Sequence, residues 1–173
     1  MAGDVKVFSG TRTIGLLGSG ELVIDRNNSH CHVDLPLLRE ALQRVKLPPN
    51  MHFLKTVVGL GRVIGQSHIV STHDVSPEHI LWAIRKGRNG WSRFCKVGQA
   101  QPCSSMVIIL KKTEENPRQY VLISAFVGDD SYRELYDPRA KQEDILFWRT
   151  HALLWGCEEV DESTIQQHSP YVF

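Results

Sequence analysis

The sequence carries no surplus of charge. Its 20 lysines and arginines stand against 19 aspartates and glutamates, a formal net charge of +1. That balance argues against a broad polyanion-binding surface and leaves room for a small basic cleft. No apolar run approaches the about 18 to 20 residues that a membrane-spanning helix needs, so no membrane partner is expected. Residues 1–7 lack the charged-then-apolar order of a signal peptide, which makes the cytoplasm the expected location. Cysteines are few. Cys31, Cys95, Cys103 and Cys157 include no C-x-x-C pair, and in a reducing compartment they read as buried free thiols. The glycine run Gly15, Gly18, Gly20 lacks the Gly-Lys-Ser/Thr ending of a phosphate loop, and no helix pattern follows it. There is no internal repeat and no low-complexity linker.

What is present is ordinary globular material: 173 residues, 42% hydrophobic and 23% charged, long enough to bury a core. The expected fold is α+β, one domain over 1–173, with N-terminal helices on a central antiparallel sheet and a buried C-terminal helix. Residues 1–50 read as an extension with strands at 5–8 and 21–25 and a helix over 35–46. Asp34 caps that helix, Leu35, Leu38, Leu42 and Val45 line one face, and Pro48-Pro49 stops it. Residues 51–58 read as a strand. Ser76 and Pro77 look like the N-cap and first position of a helix over 77–86, ended by Gly87. The runs 106–112 and 120–127, joined by a polar loop with Asn116-Pro117, predict an antiparallel hairpin. Residues 141–155 are so apolar that a largely buried helix is expected there. The tail from Cys157 is polar and poorly patterned, and can either dock or stay disordered.

Chemistry concentrates in the middle of the chain. His68 and His73 stand among Ser67, Ser71, Thr72 and Ser76, and histidine titrates near neutrality, so an acid–base site is the leading hypothesis. The competing reading makes His68 a strand-edge residue, His73 a loop-shaping one and His79 a surface one. Ser124 interrupts an apolar strand. If Tyr120, Leu122, Ser124 and Phe126 share one face, that face suits a binding groove; on an ordinary core face Ser124 is a small filler. Arg85, Lys86, Arg88 and Arg93 are interleaved with Trp82, Trp91 and Phe94. This strip either is a solvated surface or tracks a nucleic-acid backbone while a ring stacks on a base. His30, Cys31 and His32, with Cys95 and Cys103, do not have the paired spacing of a zinc module, and no cysteine sits in a protease-like context. No metal or cofactor is expected.

His68-Ile69, His73, the segment 77–86 and Tyr120-Val121-Leu122-Ile123-Ser124-Ala125-Phe126-Val127-Gly128 together resemble the barnase–EndoU–colicin–RelE superfamily of small nucleases, in its phage and polymorphic-toxin form. The likeness covers about residues 51–136. It departs at Ser124, where threonine is usual, and at Val127, where proline often sits. The resemblance implies a metal-independent endoribonuclease, acting as a toxin by 2′-hydroxyl attack on RNA such as tRNA or mRNA, with an antitoxin or immunity protein as partner. It makes His68 the first acid/base, His73 the second and Ser124 a phosphate donor. Arg85, Arg88, Arg93 and Lys96 become candidate cations for the substrate, and Trp91 and Tyr132 candidate stacking groups. The alternative is a non-catalytic module that binds nucleic acid or protein through 82–96, or a structural protein without pocket chemistry.

Overall fold

In the computed structural model, residues 11–26, 30–31, 33–129 and 132–172 are described. The expected strand at 5–8 and the residue His32 lie outside them. The chain is α+β and dominated by strands. It folds as two compact units, Met1–Gly65 with Pro102–Ser131, and Gln66–Gln101 with Tyr132–Phe173. The expected core 51–136 is therefore shared between both units. Among the described residues no helix is long and apolar enough to cross a membrane.

The first unit is a mixed sheet covered by one helix. Strands β1 (Thr11–Leu16) and β2 (Leu22–Arg26) form a hairpin. β2 and the short β3 (His30–Cys31) run parallel to successive halves of β11 (Gln119–Val127). β11 pairs antiparallel with β10 (Ser105–Lys112), and β10 with β4 (Phe53–Gly59). The sheet was expected to be purely antiparallel; β2 and β3 make it mixed.

Helix α1 (Leu35–Leu42) begins as the sequence predicts, with Asp34 Oδ1 accepting from Leu37 N at 2.9 Å. It buries Leu38, Ala41 and Leu42 against Val23, Met106, Ile108 and Leu122 of the sheet. It stops at Leu42, short of the expected residue 46. Arg44 N and Val45 N turn back to Ala41 O and Leu42 O, tightening the last turn. The carbonyls of Gln43 and Val45 lie so close to Gly18 that a Cβ there would overlap them, so glycine is required. Tyr120 fixes the far side of the core through its hydroxyl, which donates to Met51 O at 2.5 Å.

The second unit is a five-stranded sheet in the order β13 (Val160–Gln166), β7 (Ile80–Arg85), β8 (Trp91–Cys95), β12 (His151–Leu154), β6 (Ile69–Ser71). Strands β5 (Gly65–Ser67) and β9 (Gln101–Cys103) stand where the chain enters this unit and leaves it. Helix α2 (Gln142–Thr150) precedes β12.

Two expected helices are corrected here, and the tail takes the docked of its two open outcomes. The predicted helix over 77–86 is a single 3₁₀ turn, Pro77–His79, followed by β7. Ile80, Leu81, Trp82 and Ala83 are all buried, because β7 is flanked by β13 and β8 and covered on both faces, as a run without period-2 alternation requires. Gly87, at φ +79°, serves the β7–β8 turn rather than a helix end. The predicted buried helix over 141–155 divides at Thr150 into α2 and β12. Within α2, Asp144 and Trp148 are buried while Leu146 is 51% exposed. The tail carries β13 and closes onto the sheet: Trp91 Nε1 donates to Thr164 O at 2.9 Å, and Tyr171 Oη donates to Trp91 O at 2.7 Å.

Candidate active site

The face of the second sheet beneath α2 holds three rows of side chains. Register places Ile69, Leu153, Phe94 and Leu81 in one apolar row under Trp148. Next to it lie two register pairs of small and polar groups, Ser71 with His151 and Ser92 with Ala83. Beyond them come Arg85 and Gly90. The small side chains among these pairs leave space above the sheet, and the segment after Tyr132 fills it with Glu134.

Glu134 is the centre of an ion cluster that is mostly buried at Arg85 and Glu134 and exposed at Glu158. Its Oε1 accepts from Arg85 Nη2 at 2.7 Å and its Oε2 from Ser92 Oγ at 3.2 Å. Arg85 also donates through Nη1 to Glu158 Oε2 at 2.6 Å. The Arg85 side chain is 11% exposed and Glu134 18%, while Ser92 is 1% exposed. Arg85 Nε is buried with no hydrogen-bond partner, an unspent donor beside two carboxylates. Burial pushes the Glu134 carboxyl above its ordinary value, and Glu158 adds repulsion; Arg85, Ser92 and Arg88 pull against this without reversing it. For Arg85, burial opposes the charge, but Glu134 and Glu158 together outweigh it and the net shift is upward. The two partners shift in the same direction because Arg85 is shared by two carboxylates, whereas Glu134 carries the burial and the neighbouring charge.

Tyr136 closes the far end. It is pressed against Gly90 so tightly that a Cβ at residue 90 would overlap its side chain, and burial, with Glu134, raises its hydroxyl. Cys157, beside Glu158, is pushed up to about 11, mainly by burial. It is a thiol rather than a thiolate at neutral pH.

His151, on β12, is the register partner of Ser71 on β6. Its Nδ1 lies 2.9 Å from Thr150 Oγ1 and 3.2 Å from Phe147 O. Phe147 O can only accept, and the Thr150 hydroxyl already donates to it. Nδ1 therefore carries the proton, and Nε2 is the basic nitrogen. The imidazole stacks on Phe147 at 4.2 Å and 3°, and Phe147 stacks on Tyr132 at 3.9 Å and 11°.

The opposite face holds other basic and aromatic groups of the strip 82–96. Trp82 and Arg93 are register partners there. Arg93 Nη1 donates to Thr72 Oγ1 at 2.8 Å and to His151 O at 3.0 Å, and burial lowers the guanidinium from its ordinary value. His68 is exposed at the start of β6, its carbonyl accepting from Leu154 N. His73 is exposed in the following turn, where its N–H meets Ser71 Oγ. Lys96 is exposed, and its backbone N–H meets His79 O. The strip 82–96 is thus not one surface. Strand alternation sends Trp82 and Arg93 to one face and Arg85 and Phe94 to the other, Trp91 is bonded to the tail, and Arg88 stays within electrostatic reach of Glu134 and Tyr136.

Ser124 belongs to the first unit, opposite Ile109 on β10 and His30 on β3. Between it and Leu122 the register slips by one residue, leaving Ile123 as a bulge. The slip reverses the alternation. Tyr120, Leu122 and Ala125 face the α1 core, and Ser124 faces away from it. Of the two readings open for Ser124, neither a common face with Tyr120, Leu122 and Phe126 nor a place on the core face forms.

Sequence reasoning named Arg85 and Tyr132 but missed Glu134, Tyr136 and His151. Glu134 sits in a stretch without periodicity, and His151 lay inside the expected helix. A signal was available in the concentration of Tyr132, Arg133, Glu134 and Tyr136 within five positions. Among the described residues no group of three or more His, Cys, Asp or Glu could hold a metal ion. The thiols of Cys31, Cys95 and Cys103 donate to Val33 O, Val97 O and Ser105 O. No protein-family model, curated protein or solved structure matches the chain.

Proposed function

We propose that the chain is a metal-independent ribonuclease of the barnase–EndoU–colicin–RelE type, with its chemistry on the face of the second sheet that carries Ser92 and His151. The observation that carries the reading is Glu134: a mostly buried carboxyl with a raised pKa, bonded to a cation with an unspent donor, over the sheet face that also carries His151, whose Nδ1 meets Phe147 O. A carboxyl held above its ordinary value suits a general base, and an imidazole on the same sheet face suits a general acid. Glu134 takes the 2′-hydroxyl proton as the 2′-oxygen attacks phosphorus. His151, protonated at Nε2, gives its proton to the departing 5′-oxygen. Arg85, supported by Arg88, offsets the charge that builds on the phosphorane oxygens. The products are a 2′,3′-cyclic phosphate and a free 5′-hydroxyl.

The test is cleavage of a panel of single-stranded and transfer RNAs in EDTA by wild type, Glu134→Gln, His151→Ala and His68→Ala. Wild type is expected to cleave, and Glu134→Gln and His151→Ala to lose about 10²- to 10⁴-fold in kcat. Activity lost in His68→Ala and kept in Glu134→Gln moves the chemistry to the exposed His68 before β6. No cleavage by wild type removes the nuclease reading and leaves a binding module.

A further inference from the structure

Strand β4 is an outer strand of the first sheet. It pairs with β10, and among the described residues no strand lies along its other edge. The pairing runs from Phe53 to Gly59 without a register shift. Just beyond its ends, Lys112 N donates to His52 O and Leu60 N to Ser104 O. Ladder bonds of an antiparallel pair fall on alternate residues, so Leu54, Thr56 and Val58 are the ones that bond to β10. Phe53, Val57 and Gly59 turn their N–H and C=O groups to the open edge. Gly59 O agrees with this parity: it accepts from Arg44 Nη1 at 3.0 Å.

Edge strands are commonly blunted by a proline, a bulge or an inward-pointing charge. The seven residues of β4 include no proline and no bulge. Its Phe53 and Val57 side chains are 48% and 46% exposed, and alternation sets Lys55 on the same face as them, away from α1. On the α1 side of the edge lies a cleft of about 410 Å³, with Arg44, Val45 and Lys46 on one wall and Leu54, Thr56 and Val58 on the other. Among the described residues no carboxylate lines it. Glu40, one turn before Arg44, is held by Arg62 through two bonds of 2.7 Å. Arg44 is committed to Gly59 O and lies 3.5 Å from Glu40. Lys46 differs from both. It is exposed, and among the described residues its ammonium has no hydrogen bond or ion pair.

We infer that β4 takes up an extended peptide segment of a partner protein as an added strand, with an acidic side chain of that segment meeting Lys46. The backbone selects the class of occupant. Phe53 and Val57 offer carbonyls as well as N–H groups, and a peptide supplies both complements, whereas a phosphodiester backbone only accepts. Charge selects the side chains, because the cleft wall holds a cation without a counter-charge. Charge also disfavours a second copy of this chain. Two-fold pairing of β4 on itself, centred on the strand, sets Lys55 opposite Lys55 and brings both Lys46 ammonium groups to one junction. The strand site lies wholly in the first unit and stands apart from the ribonuclease reading.

The experiment follows the amide signals of the isotope-labelled full chain by NMR as end-blocked probes of about seven residues are added. One probe alternates valine with glutamate, so that its acidic side faces Lys46, and the other alternates valine with lysine. The glutamate probe is expected to bind and to shift the Phe53 and Val57 amides, and the lysine probe to bind about 10-fold more weakly or less. Lys46→Glu is expected to weaken the glutamate probe about 3- to 10-fold and to narrow the gap between the two probes. Val57→Pro removes only an outward N–H, because Thr56 and Val58 carry the ladder and edge strands accept proline. It is expected to weaken the glutamate probe about 10-fold. Thermal melting checks that both variants are folded, and the exposed Lys46→Glu decides the matter if Val57→Pro is not. Equal binding of the two probes overturns the inference, as does a folded Val57→Pro that binds like wild type. No binding by wild type at about 1 mM probe also overturns it. A dimer in sedimentation equilibrium that Val57→Pro abolishes puts a second copy on the edge instead, and β4 shifts caused by a single-stranded RNA but by neither peptide put a nucleic acid there.

Discussion

Glu134 shows how one residue sets the pH behaviour of its surroundings. Its carboxyl lies above its ordinary value of 4.5 because it is buried beside Glu158. As pH rises past that ordinary value, the unfolded chain releases this proton while the folded chain still holds it. The stability it contributes at low pH is therefore lost as pH climbs through the folded pKa. Glu134→Gln has no such proton to release. Its stability relative to wild type is expected to improve as pH rises above the ordinary carboxyl value of 4.5, as read from urea midpoints at constant ionic strength. A difference that stays flat with pH means the carboxyl titrates as it does in the unfolded chain. Little of this was legible in the sequence. Arg85 could be picked out as part of a basic cluster, but its partners lie 49 and 73 positions away, and no local pattern announces a contact of that range. Ser124 shows the opposite failure. Its oddity within an apolar strand was visible, yet its direction depended on a bulge at Ile123 that composition does not mark.

At the scale of elements, the parts read correctly were those set by local chemistry. Asp34 caps α1 through its own side chain, and the turn around Asn116 joins β10 to β11, where Arg118 N donates to Asn116 Oδ1. Asp34→Ala is expected to cost about 1 kcal/mol and Asp34→Asn much less, measured by denaturant titration; equal losses in both would mean the side-chain cap carries no stability. The parts misread were those where burial, not propensity, decided. Pro77 and Gly87 bracket a segment with every local mark of a helix. Its apolar positions 80 to 83 are nevertheless buried consecutively, which suits a strand covered on both faces. The apolar run 145–155 joined a helix to a strand because hydrophobicity alone does not say where backbone hydrogen bonding changes from one to the other.

At the scale of the whole molecule, the tail is part of the second unit's structure. β13 pairs with β7, Tyr171 packs edge to face on Trp82 at 5.6 Å, and two hydrogen bonds tie the tail to Trp91. Burial, with help from nearby Glu134 and Tyr136, holds the Tyr171 hydroxyl at about 12 against the opposing bond to Trp91 O. Truncation after residue 159 is expected to cost about 3 kcal/mol or more. That corresponds to a Tm lower by about 6 to 12 °C, with a red shift in tryptophan emission as Trp82 meets water. An unchanged Tm would show that the strand pairing contributes nothing.

The two units also interleave along the chain. The first is resumed at Pro102 after the second has begun, and the second is resumed at Tyr132. Strand β11, central to the first sheet, and β12, which joins β6 to β8 in the second, both come late in the sequence. During synthesis the early strands β1, β2 and β4 must wait for β10 and β11 to emerge, and β6 to β8 must wait longer for β12. Newly made chains therefore pass through a stage in which two half-built sheets are present at once with their partners still inside the ribosome.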